Sequence, residues 1–154
     1  MQHIANNSIV KLVHVVRDIE KKVGAFTALF GIERPEIVST TPPAPDGRAF
    51  NEFRGARITG RVKLANVPMG PIVMELIEPV DEQSPWAEHL RSHGEGIFAI
   101  VYTVNDFETH VYMMGQKGMP LYHLGEYGAG RYSYYETLAE LGITLCLQNL
   151  ERRF

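Results

Sequence analysis

The sequence predicts an α+β fold: two pseudo-symmetric βαβββ modules forming a curled, partly open sheet around a central cleft. Three observations predict it. Val16-Arg17-Asp18-Ile19-Glu20, followed by Val23, returns as Val104-Asn105-Asp106-Phe107-Glu108, followed by Val111, an offset of 88 residues. An internal repeat of this kind sets the architecture of a chain. Each copy follows an apolar, β-branched run, Ile9 to Val16 and Ile97 to Val104. Each half also closes on a matching strand, Gly70-Pro71-Ile72-Val73-Met74-Glu75-Leu76 and Gly142-Ile143-Thr144-Leu145-Cys146-Leu147, in a register that sets Glu75 against Cys146. A βαβββ unit cannot cover both faces of its own sheet, so the two copies are expected to pack against each other.

Taken in order, the opening strand leads to Asp18, whose short carboxylate suits a helix N-cap. Ile19, Val23 and Phe26 then form an i, i+4, i+7 apolar stripe, and Gly31 suits the exit. Thr40 to Gly47 (TTPPAPDG) reads as a loop, followed by strands at about Ala49–Phe53, Gly60–Val67 and Ile72–Glu78. Ser84 as N-cap and Pro85 at the first helical position open a short connecting helix that ends at Gly94. The second half repeats the plan. Asp106 is the expected cap, Phe107, Val111 and Met114 the stripe, Gly118 the exit, and the strands fall at about Leu121–His123, Arg131–Glu136 and Ile143–Asn149. Gly125 to Gly130 (GEYGAG) reads as a mobile hairpin or lid.

The chain of 154 residues is 45% apolar and 21% charged, which is globular rather than disordered composition. Its 15 basic and 18 acidic residues give a net charge of -3 without a basic cluster, which argues against nucleic acid as a partner. The longest apolar run, Ile97 to Tyr102, is too short to span a bilayer, and no basic segment precedes an apolar core near Met1. A single cysteine, Cys146, fits a reducing compartment, so a cytoplasmic location is expected. No phosphate-cradling glycine loop is present.

The segments VVRDIEKKVGAFTALFGI, VMELIEP, SPWAEHLRSHGEGI, AIVYTVNDFE and GRYSYYETLAELGITLCL, in this order, resemble the vicinal oxygen chelate superfamily. That superfamily includes glyoxalase I, bleomycin-resistance proteins, extradiol dioxygenases and methylmalonyl-CoA epimerase, and the resemblance is strongest to the epimerase-like branch. It implies one such domain over residues 1–154, with module 1 at about 9–79, the connecting helix at about 84–93 and module 2 at about 97–150. It also implies a homodimer. Relatives bind a divalent metal through one first-strand and one closing-strand residue of each half. Here those positions fall on Lys11 and Glu75, and on Ala99 and Cys146. Lysine is a cation, alanine cannot ligate and cysteine is a soft donor, which leaves Glu75 as the one hard ligand. The usual metal is therefore expected to be absent, and no other cofactor is indicated.

The resemblance implies isomerase, epimerase or lyase chemistry by proton abstraction beside a carbonyl of a small molecule. Lys11 is the candidate electrophile in place of the metal, with Glu75 as its acidic partner. His123 is a candidate acid or base, since an ordinary imidazole titrates near neutrality. Tyr134 is a further catalytic candidate. Tyr132, Tyr135, Ala99 and Cys146 are candidate ligand-binding positions, although Tyr132 and Tyr134 occupy one strand face and Ser133 and Tyr135 the other. His14 has the opposite parity from Lys11 and is expected beneath the helices. His89 and His93 are four apart at the end of the connecting helix, too few ligands for zinc. Two alternatives stand beside the enzyme: a non-catalytic small-molecule binder of bleomycin-resistance type, and a metal enzyme with displaced ligands.

Overall fold

A computed structural model describes all 154 residues. The first half contains β1 (Lys11–Val15), α1 (Ile19–Phe30), β2 (Val38–Ser39), β3 (Phe50–Phe53), β4 (Ala56–Ile58), β5 (Val62–Met69) and β6 (Ile72–Pro79). After α2 (Pro85–His93) come β7 (Gly96–Thr103), α3 (Phe107–Gln116), β8 (Leu121–Glu126), β9 (Arg131–Tyr135), α4 (Leu138–Leu141) and β10 (Thr144–Asn149). The fold is α+β, as the sequence predicts. No helix is long and apolar enough to cross a membrane.

The chain divides into two compact units. The first holds residues Lys11–Pro42 and Gly60–Phe98; the second holds Met1–Val10, Pro43–Thr59 and Ala99–Phe154. Strands of the first unit run in the order β2-β5-β6-β1, and the second contains β8-β9-β10-β7 in the corresponding order. Each unit is thus a strand, a helix and three further strands with the same internal connectivity. The second unit gains one addition. The hairpin β3–β4, which lies between β2 and β5 in sequence, pairs antiparallel with β8 through Phe50–Phe53.

Helix α1 forms where the stripe and caps predict it. Asp18 Oδ1 accepts the Lys21 N–H at 3.1 Å, Glu78 Oε1 accepts the Ile19 N–H at 3.0 Å, and Gly31 closes the helix at φ 60°. Ile19 and Val23, with half-buried Phe26, pack on Leu12, Val16, Ala65, Val67, Met74 and Leu76. In the second unit Phe107, Met113 and Met114 of α3 pack on Val104, Tyr135, Leu145 and Leu147. Asp106 makes no side-chain capping bond. Its carbonyl instead accepts from His110 Nδ1 at 2.7 Å, while His110 Nε2 accepts the Ala5 N–H at 3.2 Å. The expected connecting helix is present, with Ser84 Oγ accepting the Ala87 N–H at 3.0 Å.

Candidate functional site

Strand alternation sorts the candidate residues in each unit. In the first, the residues beneath α1 are Leu12, Met74 and Leu76, so Lys11 and Glu75 occupy the face turned away from that helix. β1 and β6 run parallel with Val13 opposite Glu75. Lys11 Nζ crosses between them to donate to Glu75 Oε2 at 3.2 Å. The side chains are 27% and 18% exposed, so the pair is partly desolvated yet within reach of a solute. Asn66 of β5 is Glu75's cross-strand partner. His14 faces the α1 side, where its buried Nδ1 has no hydrogen-bond partner. Burial lowers its pKa, Glu95 opposes that shift and Lys22 adds to it.

In the second unit, the face turned away from α3 carries two rows of paired residues. One runs Phe53, His123, Tyr134, Cys146, Val101, and the other Asn51, Gly125, Tyr132, Gln148, Thr103. The aromatic rings form a compact group. The His123 centroid lies 5.5 Å from those of Tyr132 and Tyr134, and Tyr132 and Tyr134 are 5.6 Å apart, edge to face. His123 Nε2 lies 3.1 Å from the Tyr132 hydroxyl, which donates to Asn51 Oδ1 at 3.2 Å. Ala99, Tyr134 and Cys146 are buried on this face, while Tyr132 and Asn51 are half-buried.

The geometry separates two further candidates from the half-buried group. Tyr135 lies on the opposite face, fully buried beneath α3, where its hydroxyl accepts from Ser133 Oγ at 2.8 Å. Burial pushes its pKa up to about 12. His123 is also fully buried, and desolvation pulls its pKa down to about 3. The imidazole is neutral near pH 7, outside the range an acid–base catalyst needs. Gly125 to Gly130 forms the β8–β9 hairpin, as one of the two expectations had it, with β8 continuing to Glu126 and β9 beginning at Arg131. A Cβ on Gly125 would collide with the Tyr132 ring, and one on Gly130 with the Asn149 carbonyl. These glycines permit close packing.

His89 and His93 stack within α2, ring centroids 4.7 Å apart. No three His, Cys, Asp or Glu side chains gather as a metal cluster. Sequence reasoning missed Asn51, because nothing local to that residue signals that its strand pairs with β8.

The family model of the glyoxalase/bleomycin resistance protein/dioxygenase superfamily matches residues 11–135. Solved structures with the same fold include a hypothetical protein of Bacillus halodurans, 16% identical, with 96% of each chain covered and a TM-score of 0.63. Methylmalonyl-CoA epimerase of Mycobacterium tuberculosis is 18% identical over 96% of this chain and 93% of its own, with a TM-score of 0.58. A variant of the Streptomyces coelicolor methylmalonyl-CoA epimerase, in complex with 2-nitronate-propionyl-CoA, is 17% identical over 96% and 99%, with a TM-score of 0.61. No curated protein matches the sequence at a significant level. The chain belongs to the glyoxalase/bleomycin resistance protein/dioxygenase superfamily.

Proposed function

Starting from membership of that superfamily, we propose that the chain is a small-molecule enzyme that removes a proton next to a carbonyl, as an isomerase, epimerase or lyase. The observation that carries this reading is the Lys11–Glu75 pair, at 3.2 Å and partly exposed, on the sheet face turned away from α1. The Lys11 ammonium polarises the substrate carbonyl and stabilises the enolate oxygen, and the Glu75 carboxylate takes the α-proton. Return of the proton by Glu75 to the same face gives exchange alone, delivery of a solvent proton to the opposite face gives epimerisation, and return to another atom gives isomerisation. His123 is too weakly basic to share the proton transfer. Separately, in the second unit, half-buried Tyr132 offers an aromatic ring with a hydroxyl group suited to a planar group.

The donor set does not fit the divalent ion that the resemblance implies. In the first unit the two family positions hold a cation and its paired carboxylate, and in the second an alanine and a buried cysteine. The proposed chemistry uses no metal.

The test is α-hydrogen exchange in deuterated buffer, followed by proton NMR, over a panel of acyl-CoA esters, hydroxy-ketones and aromatic ketones. At least one substrate should exchange, in the presence of chelator as in its absence. Glu75→Gln should slow it about 10²–10⁴-fold, as loss of a general base does. Lys11→Met should slow it about 10²–10³-fold, as loss of an oxyanion donor does. Equal rates in both variants sink the roles. Ligand binding without exchange anywhere in the panel favours the non-catalytic binder instead.

A further inference from the structure

We propose that Asn51 is a positioning residue that fixes the direction of a hydrogen-bond chain and thereby holds His123 in its Nε2–H tautomer. The inference deepens the reading above at the Tyr132 surface and rests on it only where a ligand is concerned.

The chain runs along one line across three strands. Asn51 of β3 stands opposite Gly125 of β8, and Gly125 stands opposite Tyr132 of β9. Because Gly125 has no side chain, the Tyr132 ring lies flat across it, which brings the hydroxyl to Asn51 and to His123 of the adjacent row. A tyrosine hydroxyl has one proton to give. Asn51 settles where it goes. Its Nδ2 points to the Thr59 carbonyl at 3.4 Å, a group that can only accept, so Oδ1 is the atom turned to Tyr132. Flipping the amide would set two oxygens against each other at Thr59 and two donors against each other at Tyr132. The Tyr132 proton therefore goes to Asn51, and the bond between Tyr132 and His123 needs its proton from Nε2.

Direction is thus set from the hairpin inward: Nε2–H of His123 donates to Tyr132, Tyr132 to Asn51, and Asn51 to the Thr59 carbonyl. Two consequences follow for the site. The basic lone pair of His123 resides on Nδ1, on the ring edge away from Tyr132. The Tyr132 hydroxyl has its one proton engaged by Asn51, so it offers none to a ligand's carbonyl oxygen.

The tautomer is read directly by long-range proton–nitrogen correlation NMR on the full-length chain labelled at histidine nitrogen. His123 is recognised among the six histidines as the ring whose signals are missing from the spectrum of His123→Gln. The expected result is the Nε2–H form. Asn51→Leu removes the acceptor, so the Tyr132 proton turns to His123 and the ring converts to the Nδ1–H form. Asn51→Asp keeps an acceptor at the same place and keeps the Nε2–H form. A merely structural role for Asn51 would not move the tautomer. An Nδ1–H ring in the unaltered protein, or an unchanged ring in a folded Asn51→Leu variant, overturns the proposal. If Asn51→Leu does not fold, the unaltered protein and Asn51→Asp still decide it. The Nε2–H form together with no exchange of any carbonyl compound would retire the enzymatic reading and leave this one standing.

Discussion

Arg54 shows how one residue's backbone can hide an element from sequence reading. It sits at φ 52°, beside Gly55 at φ 81°, in the two-residue turn between β3 and β4. Positive φ at both positions is the geometry hairpins favour, and Asn-Gly is the usual sequence signal for it. Arg-Gly carries no such signal, so the sequence reading found β3 but not β4. A long side chain in the left-handed region costs about 1–2 kcal/mol. Here the Arg54 N–H donates to the Tyr122 carbonyl at 2.7 Å, the guanidinium lies over Phe53 and Tyr122, and Glu136 pairs with it at 3.1 Å. Replacement by asparagine relieves the backbone but loses an exposed ion pair of about 0–1 kcal/mol. Replacement by alanine loses the contacts and keeps the strain. Urea unfolding should therefore place Arg54→Asn within about 0.5 kcal/mol of the parent, and Arg54→Ala about 1 kcal/mol below Arg54→Asn. Equal stability of the two variants would mean that the turn stores no strain. Lys11 and Glu75 needed no such context. Alternation alone places both on the face away from α1, whereas Asn51 reaches Tyr132 only because its hairpin pairs with β8.

The two repeated helices make the same point among elements. Their sequences predict equivalent caps at Asp18 and Asp106, and their apolar stripes pack as predicted. The caps differ. Asp18 accepts the Lys21 N–H, but Asp106 bonds through its carbonyl to His110, whose ring ties the N-terminal segment at Ala5 to α3. A buried histidine one turn into the helix is visible in sequence, but its partner 105 positions away is not. Asp18→Ala should thus lower stability by about 1 kcal/mol, a normal N-cap loss. Asp106→Ala should cost less than half as much, because the backbone carbonyl survives the substitution. Chemical denaturation of both variants checks this, and equal losses would show that Asp106 caps its helix in solution. Likewise, the glycine-rich stretch from Gly125 carries composition typical of a flexible loop. Only the strand register reveals that Gly125 makes room for a tyrosine ring.

For the whole molecule, buried neutral groups set the pH range in which the fold is most stable. His123 binds its proton with a pKa of about 3 in the fold, against 6.5 in the unfolded chain. Between these values the unfolded state holds more protons, so stability rises with pH through that window and falls on acidification. The stabilisation is complete above pH 6.5 and amounts to a few kcal/mol on the order of the shift at 1.36 kcal/mol per unit. His14 and His89, both lowered by burial, act in the same direction. The carboxylates of Glu95 and Glu108, held low by the Arg17 N–H and by Arg131 respectively, add to the loss only below their ordinary range near 4.5. At the alkaline end Tyr135, raised from 10.0 to about 12, makes the unfolded state the first to ionise, so stability declines above pH 10. The melting temperature should therefore fall as the pH drops below 6.5 and decline again above pH 10. In His123→Gln, which keeps an amide N–H for Tyr132, that early acid decline should shrink to the part due to His14 and His89. A decline of unchanged size would locate the proton uptake elsewhere and show that His123 titrates alike in the folded and unfolded chain, because the substitution would then have removed no difference in proton binding.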